Sequence, residues 1–133
     1  MLKIACEKCE NILPIDIEEN LPSPNYSIDT LKYLKKEYNS HNFSLVTGSD
    51  NMQKFTTWKD YNKIVENHKI YVYPRGNCLS NFTHENINYL KAPYINISAS
   101  KIRKDIVNNQ IDNLKIDPWV FKYIVDNNIE INI

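Results

Sequence analysis

Residues 97–103, Ile-Ser-Ala-Ser-Lys-Ile-Arg, carry the residue types that most directly indicate ligand binding. Ser98 and Ser100 place two hydroxyls at the predicted start of a helix, and Arg103 lies on its first turn. Free backbone N–H groups at a helix start attract anions, and a guanidinium can hold two phosphate oxygens at once. The pattern therefore indicates a phosphate-bearing ligand. A serine N-cap with a solvated arginine has the same spacing, and these residues alone leave both interpretations open.

A second candidate site follows a short β-rich run at residues 43–47. Gly48 would let the backbone approach a ligand closely, and the Asp50 carboxylate can accept hydrogen bonds from ribose hydroxyls. Trp58, in a helix that Thr57 is predicted to cap, could stack on an aromatic ring of the ligand. A plain turn at the glycine and a core position for the tryptophan explain the same residues, so both interpretations stay open.

Cysteine and histidine provide no candidate metal centre or nucleophile. Cys6 and Cys9 have the spacing of half a zinc site, but no second pair accompanies them. Both thiols fall on the apolar face of a predicted helix, which favours a structural role. The histidines, His41, His68 and His84, have no partner at metal or triad spacing. We therefore predict no protein-bound metal and leave the catalytic residues unassigned.

The composition excludes several classes of function. Lys plus Arg and Asp plus Glu each number 16, so the formal charge is zero and no overall field attracts nucleic acid or an anionic membrane. No run of about 18 apolar residues and no signal pattern is present. Three cysteines are too few for a disulfide framework and fit a reducing compartment. We expect one cytoplasmic domain covering residues 1–133.

The elements that must position these residues alternate between strand and helix. The pattern predicts strands at 12–17, 43–47, 69–73 and 94–97, and helices at 2–9, 27–38, 57–65, 81–90, 100–108 and from 118 onward. Ser27 can cap the second helix, and Arg75 and Gly76 directly follow the third strand. Such alternation is typical of an α/β fold with a parallel sheet covered by helices. Ligands bind beyond the carboxyl ends of strands in these sheets, where the candidate residues fall.

The order and spacing of these segments resemble the bacterial-type nicotinate-nucleotide adenylyltransferases over nearly the whole chain. Residues 24–31 resemble the family's P-S-Y-T-x-D-T-L segment, 48–51 its G-x-D-N loop, 57–58 its T-W pair, 73–76 its strand-end P-R-P-G, 97–103 its I-S-x-T-x-I-R signature, and 120–127 its terminal V-x-x-Y-I-x-x-N helix. Ser100 stands where the signature has threonine. The resemblance implies a Rossmann-like parallel sheet flanked by helices, of the nucleotidyltransferase type.

The resemblance also implies a reaction, in which ATP and nicotinate mononucleotide give deamido-NAD and pyrophosphate. By the same resemblance Ser98, Ser100 and Arg103 would hold ATP phosphates, and Mg²⁺ would enter with ATP. Gly48 and Asp50 would hold the adenosine ribose. The substrates would therefore be two nucleotides.

The remaining roles that the resemblance implies concern the nicotinate end. Trp58 would stack on the nicotinate ring, and the backbone near Ser27 would meet its carboxylate. Arg75 is a further candidate phosphate contact. Lys59 stands where many relatives carry an aromatic residue, so the choice between nicotinate and nicotinamide stays open.

One family segment, G-x-F-x-P-x-H-x-G-H, has no counterpart in this sequence. In relatives its histidines stabilise charge that develops during transfer, and such electrostatics carry most of the catalysis. We therefore expect a protein that is inactive or incomplete alone, or a non-catalytic nucleotide-binding or interaction module.

The fold's first two strands are expected to be missing as well. They would stand between residues 12–17 and 43–47. We predict that these two segments pair directly in parallel, or that a second copy or a partner chain covers the open edge.

Overall fold

The computed structural model describes residues 1–76, 82–110 and 115–129. Its helices are α1 Leu2–Cys6, α2 Ser27–Glu37, α3 Ser49–Met52, α4 Tyr61–Asn67, α5 Ala99–Val107 and α6 Pro118–Asp126, with 3-10 turns at Ile17–Asn20 and Phe55–Thr57. Its strands are β1 Leu45–Gly48, β2 Ile70–Tyr73 and β3 Ile87–Tyr89. The chain divides into two compact units, Asp16–Asn96 and a smaller one made of Met1–Ile15 with Ile97–Ile133. The prediction of one domain over 1–133 stays a prediction.

The larger unit is built on a parallel sheet in the order β1-β2-β3. Ile70 and Val72 of the central strand are almost completely buried, whereas Val46 on the neighbouring strand is 68% exposed. Side chains alternate between the two faces of a strand, so one face carries the core. The sheet, together with the helices that flank it, confirms the α/β fold class.

Helices and a 3-10 turn cover the buried face of this sheet. The core cluster that they form with β2 contains Ile28, Leu31, Met52, Phe55, Ile64, Val65, Ile70 and Val72. Ile28 and Leu31 lie on α2 at the spacing of one helical face. Full burial of one such side chain stabilises the fold by about 1.5–3 kcal/mol, so this cluster is what holds the strands in place.

The helix starts agree with the sequence at two places and differ at a third. Ser98 caps α5, because its Oγ accepts a hydrogen bond from the Lys101 backbone N–H at 3.1 Å. Asp117 caps α6 and accepts from two backbone N–H groups of the first turn. Ser27 does not cap α2: it is the first helical residue, and Tyr26 occupies the cap position without a side-chain bond. The first N–H groups of α2 therefore have no side-chain acceptor within the helix cap.

The predicted strand at 12–17 is wrong. Residues 12–16 are irregular, and a 3-10 turn begins at Ile17. Pro14 lies inside the run and lacks a backbone N–H, so it cannot donate to a strand ladder and disfavours a strand that pairs on both edges. The direct pairing of 12–17 with 43–47 is therefore wrong too, and β1 pairs with β2 alone among the described residues. Coverage of the edge by another chain stays a prediction.

The third strand lies elsewhere than predicted. Residues 94–97 form no strand, and β3 lies inside the helix predicted at 81–90, of which residue 81 is outside the described residues. Ile70 N donates to Asn86 O at 2.8 Å, and Leu90 N donates to Val72 O at 2.9 Å. The backbone N–H and C=O groups on the second edge of β2 need hydrogen-bond partners. Residues 87–89 supply them as a strand, although their pattern weakly favours a helix.

The smaller unit contains α1, α5 and α6. The helix predicted at 2–9 is shorter, Leu2–Cys6, and α1 packs against α6. The Lys8 ammonium lies 4.9 Å from the centre of the Trp119 ring, at the distance of a cation–π contact. In the described part of the chain, no helix has the length and apolar character needed to cross a membrane.

The two faces of the sheet give a matched stability test. We expect Val72→Ala to lower the free energy of unfolding by about 2 kcal/mol, because it removes two packed methyl groups and leaves a cavity. Val46→Ala makes the same change on the exposed face and should stay within about 0.5 kcal/mol of the wild type. Urea unfolding followed by circular dichroism measures both. Equal losses would contradict the assignment of the core face.

Candidate functional site

The loops that follow β1 and β2 lie side by side. Gly48, the last residue of β1, is in register with Tyr73, the last residue of β2. Parallel strands end at the same edge of a sheet, so the segment after Gly48 meets the segment that contains Arg75. This pairing brings the predicted residues Gly48, Asp50 and Arg75 together.

Ser49 joins these two loops through reciprocal hydrogen bonds. Its Oγ donates to the Arg75 backbone oxygen at 3.0 Å and accepts from the Arg75 backbone nitrogen at 2.9 Å. The residue is only 6% exposed. Sequence reasoning missed it, and the only signal was its position between Gly48 and Asp50. The bonds fix the backbone of one loop against the other.

A carboxylate approaches the backbone of Gly48 closely. A Cβ on Gly48 would overlap Oδ1 of Asp50 and would lie 3.1 Å from Cδ of Arg75. The backbone at Gly48 is extended, with φ −79°, so no positive φ is involved. The missing side chain is what lets the Asp50 carboxylate fold back onto the end of the strand.

The Asp50 carboxylate has unused hydrogen-bonding capacity. Its Oδ1 is buried and accepts no hydrogen bond from the described residues. Its Oδ2 lies 3.8 Å from Nε of Arg75, in a surface ion pair that contributes little stability. A buried acceptor without a donor costs about 1–3 kcal/mol, which a hydroxyl donor from a ligand would recover.

A pocket of about 280 Å³ lies beside the start of α2. It is lined by Asn25, Tyr26, Ser27, Thr57, Trp58, Lys59 and Ile64. Ser27 and Trp58, the two residues that the resemblance connects with nicotinate, thus share one cavity. Their roles in binding stay predictions.

Trp58 is not on a helix, contrary to expectation. The 3-10 turn ends at Thr57, and α4 starts only at Tyr61, after Asp60 in a left-handed conformation with φ 52°. The Thr57 hydroxyl donates to the Lys54 carbonyl at 2.7 Å, so it does not act as a helix cap. Trp58 therefore lies in an extended connection between two turns.

Aromatic packing holds Trp58 in position. Phe55 is completely buried, and its ring centre lies 5.5 Å from that of Trp58, 5.8 Å from Tyr61 and 5.4 Å from Phe82. Trp58 itself is half-buried and packs against the core while also lining the pocket. Core packing and ligand contact, set as alternatives by the sequence, are compatible in this geometry. Sequence reasoning missed Phe55.

The pocket wall also carries a fixed cation. The Lys59 Nζ lies 2.7 Å from Oδ2 of Asp29 and 4.6 Å from the centre of the Tyr26 ring. The hydrogen bond to Asp29 raises the pKa of Lys59 above its ordinary value, so the amine is charged at neutral pH.

The smaller unit contains the third group of predicted residues. Ser98 is the N-cap of α5, and Ser100 and Arg103 are its second and fifth residues, with Nη2 of Arg103 3.5 Å from Oγ of Ser100. All three are exposed. Within residues 1–76, 82–110 and 115–129, no ion pair is formed by Arg103. The arrangement can accept an anion, and its phosphate-binding role stays a prediction.

A larger cavity of about 540 Å³, near the amino ends of the strands, includes none of the predicted residues. Nδ1 of His68 donates to the Phe43 carbonyl at 3.0 Å, which indicates a structural role for this histidine. Lys35 donates to the carbonyls of Asn39 and His41. Both side chains thus bond backbone carbonyls of the protein itself.

No group of three or more His, Cys, Asp or Glu side chains suited to a metal ion occurs in the described parts of the chain. The residues assigned to ATP phosphates are two serines and an arginine, and they include no carboxylate of the kind that usually binds Mg²⁺. The entry of Mg²⁺ with ATP stays a prediction.

Comparison with known proteins places the chain among relatives. A family model described as cytidylyltransferase-like matches residues 1–105, which include every predicted binding residue. The probable nicotinate-nucleotide adenylyltransferases of Flavobacterium psychrophilum, Christiangramia forsetii and Flavobacterium johnsoniae are each 39% identical over 132 residues. The match covers 96% of this chain and 68% of each relative.

The bonds of Ser49 can be tested directly. We expect Ser49→Ala to lower the free energy of unfolding by about 1–3 kcal/mol, because the Arg75 backbone loses a donor and an acceptor in a half-buried place. Ser44→Ala, at an exposed position before β1, is the matched control and should be near neutral. Urea unfolding gives both values. If the two variants behave alike, Ser49 does not join the loops.

Proposed function

We propose that this chain, which belongs to the cytidylyltransferase-like family and is related to nicotinate-nucleotide adenylyltransferases, binds nicotinate mononucleotide and ATP as substrates of adenylyl transfer. The products of that transfer would be deamido-NAD and pyrophosphate. The observation that supports this most strongly is the pocket that Ser27 and Trp58 line together. The resemblance connects Ser27 and Trp58 with the same ligand, although they belong to separate motifs of the sequence.

The nicotinate end would bind in this pocket. Its ring would stack on the indole of Trp58, which Phe55 holds at a fixed angle. Its carboxylate would face the backbone at the start of α2, whose first N–H groups have no side-chain cap. A flat ring that carries an acidic group matches both features.

Each of the two units contains residues that would contact ATP. Asp50 would accept hydrogen bonds from the adenosine ribose, beside the close approach that Gly48 permits. Arg75 would be a phosphate contact, since its side chain is 56% exposed. Ser98, Ser100 and Arg103 would bind ATP phosphates at α5, and Mg²⁺ would arrive coordinated by those phosphates.

Catalysis would need groups that these 133 residues do not supply. The histidine segment of the family is absent from the sequence, and His68 and His84 make local structural bonds. This absence favours a second candidate function, a nucleotide-binding module without turnover. A segment on a partner chain could supply the histidines instead, and the edge of β1 with which no described residue pairs offers such a chain, or a second copy, a place to pair.

Binding and turnover can be measured separately. We expect nicotinate mononucleotide to quench the fluorescence of the wild type, because the ring would stack on Trp58. Trp58→Leu should remove this quenching, and Trp119→Leu, which changes the exposed tryptophan of α6, should keep it. Pyrophosphate release from ATP and nicotinate mononucleotide should be undetectable.

The alternative results are distinct. Quenching that survives in Trp58→Leu would contradict the stacking role, and absence of binding would contradict the proposed function. Turnover by this chain alone would overturn the requirement for the histidine segment.

The ATP contacts at α5 have their own test. We expect Arg103→Ala to weaken ATP binding about 10- to 100-fold, because a charge-assisted bond to phosphate is worth roughly 1.5–3 kcal/mol. Lys104→Ala removes the neighbouring charge on the same helix and should change the affinity little. Isothermal calorimetry measures both, and circular dichroism checks the fold. Equal effects in the two variants would show a general charge effect and no specific contact.

A further inference from the structure

The fixed cation at the pocket wall is not explained by the roles given so far. Lys59 and Tyr26 both line the pocket, and Asp29, which holds the ammonium, does not. The ammonium thus contacts a carboxylate of a residue outside the pocket lining and the aromatic ring of a residue that belongs to it.

The ammonium can bond to a further acceptor. It has three N–H donors, and the bond to Asp29 uses one of them. The Lys59 side chain is 45% exposed, so a ligand can reach it. Its charge is also secure at neutral pH, because the Asp29 hydrogen bond raises its pKa.

The surrounding charges do not cancel this cation. Asp60 is bonded to Lys63 at 3.1 Å and lies 4.0 Å from Lys32, and these contacts lower the pKa of Asp60. The local group thus contains three lysines and two aspartates, with one positive charge in excess. Lys32 and Lys63 are well exposed, so solvent screens most of this excess, and direct contact with Lys59 is what an anionic ligand group would gain.

We propose that Lys59 is a specificity-determining residue, which favours a ligand whose aromatic ring carries a carboxylate over the same ring with a neutral carboxamide. This inference rests on the proposed function and deepens it. Stacking on Trp58 is the same for both rings and cancels in the comparison, because specificity is a difference between two affinities. A carboxylate gains a charge-assisted hydrogen bond from the ammonium, and a carboxamide gains only a neutral acceptor.

A purely structural role for Lys59 is the alternative. The bond to Asp29 ties the Trp58 connection to α2, and it could serve that purpose alone. The two roles differ in which half of the pair matters. If the bond is only structural, substituting Lys59 or Asp29 should have the same effect. If Lys59 selects the ligand, the ammonium is needed and the Asp29 carboxylate is not.

The test titrates the full chain with nicotinate mononucleotide and nicotinamide mononucleotide by calorimetry. We expect the wild type to prefer the nicotinate form about tenfold or more, as one charge-assisted bond allows. Lys59→Met should lose about tenfold for the nicotinate form with little change for the nicotinamide form. Lys59→Arg and Asp29→Asn should keep the preference. Lys63→Met removes a nearby exposed charge that does not line the pocket and should also keep it.

Each other result overturns the inference. Loss of both ligands together in Lys59→Met, or equal effects of Lys59→Met and Asp29→Asn, would assign Lys59 a structural role. A wild type that binds both mononucleotides equally would remove the selectivity itself and leave the proposed function standing. A wild type that binds neither mononucleotide would contradict both this inference and the proposed function. If Lys59→Met fails to fold, Lys59→Arg still tests the inference, because it keeps the positive charge. Loss of the preference for the nicotinate form in Lys59→Arg would contradict the role of Lys59 in specificity.

Discussion

Parallel pairing of β1 with β2 is the constraint on which the rest of the larger unit depends. It sets Gly48 opposite Tyr73, so that the loop after each strand begins at the same level. Only then can Ser49 bond both backbone groups of Arg75. The Asp50 carboxylate is in turn positioned by this junction and by the missing side chain of Gly48. A slip of one residue would turn the buried faces of Ile70 and Val72 outward, so core packing and loop geometry enforce the same register.

The sequence predicts those features that depend on neighbouring residues. The caps at Ser98 and Asp117 are local bonds, and a serine N-cap was one of the two interpretations that residues 97–103 left open. The motif resemblance is confirmed by the relatives. The prediction of a strand at 12–17 is wrong because the effect of Pro14 outweighs the apolar alternation. The strand at 87–89 could not be predicted from neighbouring residues, because it forms by pairing with β2, which is distant in sequence.

The candidate site divides in the same way. Gly48, Asp50, Ser27 and Trp58 could be predicted because each occupies a motif position. Ser49 and Phe55 could not, since a buried serine and a buried phenylalanine have no signature apart from the three-dimensional contacts they make. Lys59 falls between these cases. Its position beside Trp58 was visible, but its fixation by Asp29 depends on the approach of α2 to the Trp58 connection.

Substrate binding and catalysis place different demands on a nucleotide site. Binding requires groups that contact the ground state, such as a ring to stack on and donors for phosphate oxygens. Acceleration requires interactions that grow stronger as charge develops on the transferred phosphate. The residues that this chain contributes are of the first kind, and the absent histidine segment is of the second. Selectivity for a nucleotide and acceleration of its transfer can therefore be carried by separate segments of a chain, because the two properties depend on different interactions.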